Sequence, residues 1–178
     1  MNHTNPPNTW VTVHTRHINP QGHVLDVACG PGRHSRYLLS AGYRVTAVDI
    51  NVSGIEDLAA DPRCKIVQAD LETSPTRWPF EVNMDGSGFD GILVSNYLHR
   101  PLFPYLVDSL APGGVLIYQT FMLGNEKYGK PGNPDFLLCE NELMEVFGTS
   151  LEVMEFHQGY VDDPRPAMMQ GICCRSSV

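Results

Sequence analysis

Apolar residues fall into two alternating textures along this chain. From Gln21 onward, short β-branched runs alternate with stretches whose apolar residues recur at helical spacing. His23 to Ala28 reads as a strand ending in the glycine-rich turn Cys29-Gly30-Pro31-Gly32. Arg33 to Ala41 sets Tyr37, Leu38 and Ala41 at helical spacing, and Gly42 supplies the stop. Arg44 to Asp49 predicts a second strand. A short helix follows, with Asn51 or Ser53 as cap, Ile55, Leu58 and Ala59 as its apolar residues, and Pro62 marking its end. Lys65 to Ala69 predicts a third strand, closed by Asp70-Leu71-Glu72, and residues 73–88 read as a turn-rich loop. Phe89 to Ser95 then predicts a fourth strand and Pro101 to Leu110 a helix. Ala111-Pro112-Gly113-Gly114 reads as a turn into a fifth strand, Val115 to Thr120.

Residues 122–138 form a long polar loop, and Glu140 to Phe147 predicts a helix stopped by Gly148. Two final strands, Leu151 to Phe156 and Ala167 to Cys174, flank the turn Asp162-Asp163-Pro164-Arg165-Pro166. This order predicts an α/β protein with a Rossmann-like, doubly wound sheet, mostly parallel, carrying a C-terminal antiparallel hairpin at its edge. Residues 1–20 read as a loosely ordered lead-in that closes over a pocket, with apolar interruptions at Trp10-Val11 and Val13. Residues 21–178 read as one domain, as the length allows. His14 and His17 share a helical face but lack a third ligand, so the expectation is solvated histidines and no metal site.

Charge narrows the partners. Twelve Lys and Arg against 20 Asp and Glu give a formal net charge of −8. That balance argues against broad binding to a nucleic-acid backbone and favours a small-molecule substrate. The five cysteines lack the paired spacing of a disulfide framework or zinc site, and the pair Cys173-Cys174 reads as strand packing. The polar start lacks a signal peptide's apolar core, and no apolar run approaches the roughly 20 residues that cross a bilayer. A cytoplasmic protein with reduced thiols is the expectation.

In doubly wound sheets, ligands bind beyond the carboxyl ends of the strands. The chemistry is therefore expected after Ala28, Asp49, Ala69, Ser95 and Thr120. Gly30 and Gly32 let backbone approach a ligand closely, a feature shared with dinucleotide sites. Two details separate the readings. Ser35 stands where the dinucleotide fingerprint wants a third Gly or Ala, and Asp26 places a carboxylate that repels pyrophosphate but suits an ammonium or sulfonium. Asp49, at the end of the second strand, has two acceptor oxygens for a ribose diol. Asp70 can accept from an adenine amino group while the Leu71 N–H donates to a ring nitrogen. Capping of the following segment is the structural alternative for both acids.

Leu25-Asp26-Val27-Ala28-Cys29-Gly30-Pro31-Gly32, Val48-Asp49 and Ala69-Asp70-Leu71 together resemble the cofactor signature of class I S-adenosylmethionine-dependent methyltransferases. Phe89-Asp90-Gly91-Ile92-Leu93-Val94 resembles their fourth strand, and Leu110-Ala111-Pro112-Gly113-Gly114-Val115-Leu116 the turn into their fifth. The resemblance runs from about Gly22 to Thr120. Residues around Asn133-Pro134-Asp135-Phe136-Leu137-Leu138 are similar to small bacterial members near the tellurite-resistance type. It implies S-adenosylmethionine as cofactor, held by Asp26, Ala28, Cys29, Gly30, Gly32, Asp49, Ile50, Asp70, Leu71, Ser95 and Asn96.

Methyl transfer from a sulfonium needs alignment and a deprotonated nucleophile more than a catalytic triad. The stretch after the fourth strand offers Tyr97 and His99 as catalytic candidates, with His99 a base near neutral pH. Arg100 is the candidate anion clamp, and Asn125 and Tyr128 in the following loop are substrate contacts. Pocket shaping and helix capping are the alternatives for Tyr97 and His99. Asn96 is not followed by Pro-Pro-Tyr, so the signature of nucleic-acid amide-nitrogen methylation is missing. Two other functions stay open: an adenosylmethionine-binding regulatory protein and a nicotinamide-dependent oxidoreductase. The methyl acceptor and the oligomeric state are not legible.

Overall fold

A computed structural model describes residues 5–80 and 87–177. The ends of the chain and the 81–86 part of the expected loop lie outside the described residues.

Seven strands form one sheet in the order β3-β2-β1-β4-β5-β7-β6. They are β1 His23–Val27, β2 Arg44–Asp49, β3 Cys64–Gln68, β4 Phe89–Ser95, β5 Leu110–Phe121, β6 Glu152–Val161 and β7 Ala167–Arg175. β1 to β5 pair in parallel, β7 runs antiparallel to β5, and β6 antiparallel to β7. The expected mostly parallel sheet with an antiparallel edge hairpin is thus the observed one. Its order reverses between β1 and β4, so those two strands frame the switch-point crevice.

Both faces of the sheet are covered, which is why the central strands read as continuous apolar runs. Leu25, Val27, Ile92, Val94, Leu116 and Tyr118 face one layer, closed by helices α3 (Phe103–Asp108) and α4 (Glu142–Phe147). Val24, Val45, Leu93, Val115 and Ile117 face the other, with Leu38 of helix α2 (Arg33–Ser40) and Val11 of helix α1 (Thr9–His14). Cys173 and Cys174 are unbridged and point to opposite layers, so the vicinal pair is core packing.

Five local expectations differ from the structure. From Asn8 onward the N-terminal stretch is not loose: the Asn8 side chain accepts from the Val11 N–H and starts α1, and Thr15–His17 continues it as a 3-10 turn. Trp10 then packs against β7 at Gly171, where a Cβ would come within 2.9 Å of its ring. A six-residue helix carries too few turns to leave a periodic signal in the sequence. The helix expected after Asn51 is a 3-10 segment, Glu56–Ala60, and the helix from Pro101 is a 3-10 turn, Arg100–Leu102, running into α3. The turn at 111–114 is absorbed into β5 as a bulge, since Phe89 pairs with Leu110 but Gly91 with Val115. Its spare groups bond the C-terminal end: Gly113 N–H to the Ser177 carbonyl, and Ser176 Oγ–H to the Ala111 carbonyl. His14 is buried rather than solvated, with Nδ1 2.6 Å from the Trp10 carbonyl and Nε2 3.0 Å from Glu155.

Candidate functional site

The ends of β1, β2, β3 and β4 surround a cleft of about 560 Å³ lined by Ala28, Asp49, Ile50, Ala69, Asp70, Leu71, Glu72, Asn96 and Tyr97. Each lining residue ends or follows a strand, where pairing stops and backbone polar groups turn to other partners. A second depression of about 760 Å³ lies against α2 and Glu56–Ala60. Its charged groups already pair with one another, Arg36 with Asp57 and Arg63 with Asp61, so it offers no chemistry.

The glycine turn is built for close approach. Gly30 and Gly32 hold φ of +54° and +78°, which side chains other than glycine's rarely tolerate. A Cβ on Gly30 would meet nothing within 4 Å and would stand in open space, whereas one on Gly32 would strike Ile55. Ala28 and Asn96 also adopt left-handed backbone, at φ +51° and +56°, on opposite sides of the crevice. Such conformations cost about 1–2 kcal/mol for alanine and less for asparagine, and they gather where a site is shaped.

Asp49 ties the turn together. Its Oδ2 accepts from the Gly30 N–H at 2.8 Å and its Oδ1 from the Asn51 N–H at 2.9 Å. Each oxygen retains a lone pair, so this acid caps the loop and faces the cleft at once. Asp70 accepts from the Glu72 N–H at 2.9 Å and remains exposed. Leu71 is buried below it, while Ile50 is 61% exposed in the cleft wall, an apolar surface lacking a protein partner to cover it. The donor set and the open space beside Gly30 fit a nucleoside with a cationic tail: carboxylates for hydroxyl and amino hydrogens, and an apolar edge for a flat ring.

Asp26 departs from its expected role. It is buried beneath the turn, accepts from Ser35 Oγ–H at 2.6 Å, and does not line the cleft. Desolvation pushes its carboxyl up to about 7, so it presents no settled charge to a ligand there. Ser35, noted for breaking the dinucleotide fingerprint, is its partner. Cys29 contributes backbone only: its N–H donates to the Val48 carbonyl, and its buried thiol is pushed up by desolvation.

The substrate-side residues divide. Tyr97 lines the cleft and its hydroxyl donates to Glu72; burial and that carboxylate push the phenol up, so Tyr97 is a donor and not a base. His99 is not part of the lining, and its buried Nε2 has no hydrogen-bond partner among the described residues. Arg100 is not placed to clamp an anion. Its Nε and NH2 bind the two Glu142 carboxylate oxygens at 2.6 and 2.9 Å, and it also donates to the Asp135 and Leu137 carbonyls. Asn125, expected at the substrate, is 2% exposed and joins the Pro131 carbonyl to the Met168 N–H. Tyr128 is exposed and packs its ring 5.4 Å from Tyr160. The 122–138 loop is therefore fastened at Leu137 and Leu138, both buried, rather than hanging over the cleft.

Sequence reasoning named Ser95 at the crevice but missed the four residues gathered round it. Asn8, Arg33, His34, Ser95 and Gln119 meet beyond β4, where the Asn8 amide donates to Gln119 at 2.6 Å and to Ser95 Oγ at 3.4 Å. His34 Nε2 accepts from the Asn8 N–H at 3.3 Å, and burial pushes its imidazole down to about 3, keeping it neutral. Arg33 directly after Gly32 was the available signal. Among the described residues no cluster of three or more His, Cys, Asp or Glu has the arrangement of a metal site, and no helix is long and apolar enough to cross a membrane.

With this geometry in hand, comparison with known proteins is informative. The methyltransferase domain family matches residues 24–114, just over half of the chain and the part that builds the cleft. The Escherichia coli trans-aconitate 2-methyltransferase is 36% identical over 101 residues, covering 54% of this chain and 38% of that protein. The chain thus spans well under half the length of the curated relatives it matches. TehB from Haemophilus influenzae superposes with a TM-score of 0.75 at 21% identity, covering 98% of this chain and 64% of TehB. The Burkholderia thailandensis 1,6-didemethyltoxoflavin-N1-methyltransferase, solved with 1,6-didemethyltoxoflavin and S-adenosylhomocysteine, gives 0.68 at 21%, covering 95% of this chain and 77% of that one. At such identities the structural likenesses speak for the fold.

Proposed function

This chain belongs to the class I S-adenosylmethionine-dependent methyltransferase family, and from that premise we propose that it methylates a small-molecule acceptor by in-line displacement. The observation that carries the reading is the cleft itself: Asp49, Asp70 and Glu72 line it together, and Asp49 holds the Gly30 N–H at its edge. S-adenosylmethionine supplies an electrophilic methyl group on a sulfonium. Asp49 is the residue we assign to the ribose diol, through the lone pairs left after it accepts from Gly30 and Asn51. Asp70 and the Leu71 N–H are assigned to adenine, and exposed Ile50 to the face of the ring or sugar.

On the acceptor side, Tyr97 presents a hydroxyl that stays protonated, its hydrogen given to Glu72 and its oxygen left to accept. With His99 outside the lining, the reading places no general base in the cleft. The acceptor then brings a nucleophile with its own available lone pair, and the protein contributes alignment and exclusion of water, effects worth several kcal/mol. A small acceptor is supported by the negative net charge. It is supported also by the small organic molecules named for the E. coli relative and the Burkholderia neighbour.

The test is release of S-adenosylhomocysteine from S-adenosylmethionine by the purified chain. The panel holds small carboxylic acids, nitrogen heterocycles and oxyanions, with DNA and RNA alongside. Turnover on a small acceptor is the expected result. Turnover on nucleic acid alone would overturn the acceptor class, and cofactor binding without turnover on any acceptor would favour the regulatory reading.

A further inference from the structure

Helix α1 meets β6 through a contact whose proton content follows from its geometry. His14 is 1% exposed and sets Nδ1 2.6 Å from the Trp10 carbonyl and Nε2 3.0 Å from Glu155 Oε2. A carbonyl oxygen only accepts, and so does a carboxylate. A neutral imidazole has one N–H and one bare nitrogen, so it satisfies one of these partners and turns a lone pair on the other. Both bonds form only when the pair holds one proton more than neutral imidazole plus carboxylate. The Glu155 side chain is 53% exposed, and water there favours its ionised form, so the extra proton sits on His14 as an imidazolium. A buried charge is tolerated when it is paired and hydrogen-bonded, and both N–H groups of this ring are.

The neighbouring elements bring other titratable groups to this corner. On the 3-10 turn, Arg16 and His17 follow, with the His17 ring 6.1 Å from that of His14. Desolvation and then Arg16 lower the His17 pKa, which leaves that ring neutral at pH 7. From β7 come Arg175, which donates to the His17 carbonyl, and the Cys173 thiol, pushed up to about 12 by burial and so uncharged. From β6 comes His157, 6.5 Å from the Trp10 ring. Tyr37 and Tyr43 reach Thr15, and β5 faces α1 with Val115 and Ile117. Arg16 and Arg175 work against a charge on His14, and Glu155 is the acid in contact that offsets them.

The same short helix begins at the crevice. Asn8, its cap, donates its amide to Gln119 and Ser95 at the ends of β5 and β4, and its N–H to His34. Between Asn8 and His14, Thr9 donates to Asp163 in the exposed β6–β7 turn, while Trp10 Nε1 is buried without a hydrogen-bond partner among the described residues.

We propose that the His14–Glu155 contact is a proton-operated latch that ties α1 to β6 and thereby holds Asn8 across the ends of β4 and β5. When the proton leaves to solvent, Nδ1 keeps its N–H for the Trp10 carbonyl and Nε2 presents a lone pair to Glu155. The exposed carboxylate then swings away, and α1 loosens with its Asn8 contacts. The latch itself uses only this chain's residues; its effect on a bound nucleoside rests on the methyltransferase reading.

Nitrogen-15 NMR of the His14 imidazole and the Trp10 indole N–H, recorded from about pH 5 to 9 where imidazole titrates, tests the latch in wild type, Glu155→Gln and Glu155→Ala. Wild type should show an imidazolium at the acid end, and its loss should move the Trp10 resonance in step. An amide accepts from an imidazolium or donates to a bare Nε2, so in Glu155→Gln the contact survives and Trp10 stays in place at every pH. Glu155→Ala should hold Trp10 at its high-pH position throughout. A neutral His14 across the whole range, or Glu155→Gln behaving as Glu155→Ala, overturns the latch. For the crevice, wild type should release S-adenosylhomocysteine about fivefold faster at about pH 9 than at about pH 6, the weight of one lost hydrogen bond. Asp26 also titrates at about 7 beneath the glycine turn, so the latch is the part of this dependence that Glu155→Gln removes. Equal pH dependence in wild type and Glu155→Gln overturns the coupling to the crevice. Wild type that binds no S-adenosylhomocysteine contradicts the methyltransferase reading, and the His14 and Trp10 resonances then decide the latch alone.

Discussion

Asp49 and Arg100 are both charged residues near the carboxyl edge of the sheet, yet they meet opposite fates. Asp49 accepts two backbone N–H bonds and still turns lone pairs toward a cleft. Arg100 directs its fork to Glu142 and to two carbonyls of the 134–138 segment. Asp49 closes a strand, and its bonds from Gly30 and Asn51 use one lone pair of each oxygen, so acceptor capacity is left over. Arg100 opens a 3-10 turn and Glu142 opens α4, on either side of the 122–138 loop, whose backbone carbonyls need side-chain partners. A polar residue at a strand end signals function where its contacts leave capacity toward the cleft. Where a neighbouring loop takes its donors, the same residue is first a structural resource.

The largest effect expected comes from Asp26, the acid that supports the turn without entering the cleft. Its native carboxyl lies at about 7, above the 3.8 of an unperturbed Asp. Between these values the folded protein holds a proton that the unfolded chain has released. Its contribution to stability is therefore greatest near pH 4, falls as pH rises to 7, and is flat above. At 1.36 kcal/mol per pH unit the decline is of order 4 kcal/mol. Urea denaturation at a series of pH values should show that decline in wild type and a flatter profile in Asp26→Asn. Parallel profiles would place a settled charge on Asp26 and erase the distinction between support and cleft.

Asp49→Ala breaks the cleft half of the comparison. It removes a charged acceptor of ligand hydroxyls, and S-adenosylhomocysteine affinity should fall about a hundredfold, near 3 kcal/mol. The fold should persist, with a stability loss of about 1 kcal/mol for the two freed N–H groups. Unchanged affinity would return Asp49 to pure loop capping. Arg100→Ala breaks the other half: stability should fall by about 2 kcal/mol, because Glu142 is only 14% exposed and is left unpaired. Exposure of the Arg100 side chain itself tempers that figure. S-adenosylhomocysteine affinity should not move; a loss there would mean that the loop serves the cofactor after all.

Much of the first half was legible in the sequence. Strand periodicity and the Gly30-Pro31-Gly32 turn located β1, β2 and β4 to within a residue, and the acids after β2 and β3 landed in the cleft as their spacing implied. The turn at 111–114 also stood out, but its absorption into β5 depends on the C-terminal Ser176 and Ser177, which no local pattern announces. Helix α1 was hidden for a related reason. Its stability comes from Val11 in the core and Trp10 on Gly171, contacts more than a hundred residues apart along the chain in the second case. Arg100 and Asn125 failed as functional readings, and His14 as a solvated side chain, because their partners, Glu142, Met168 and Glu155, lie on elements whose proximity only the fold reveals.

The smallest effect sharpens the account of the turn. Ala28→Gly should raise stability by about 0.5 kcal/mol, since relief of left-handed strain slightly exceeds the entropy cost of glycine. A destabilised variant would mean that the Ala28 methyl contributes packing that outweighs the strain.

The central claim is that the acid-lined cleft holds S-adenosylmethionine, and titration calorimetry of the purified chain tests it most directly. S-adenosylmethionine and S-adenosylhomocysteine are each titrated, with NADH as the third ligand. The account predicts one site in the micromolar range for the first two and no binding of NADH. Binding of NADH, or silence toward both sulfur nucleosides, would contradict it.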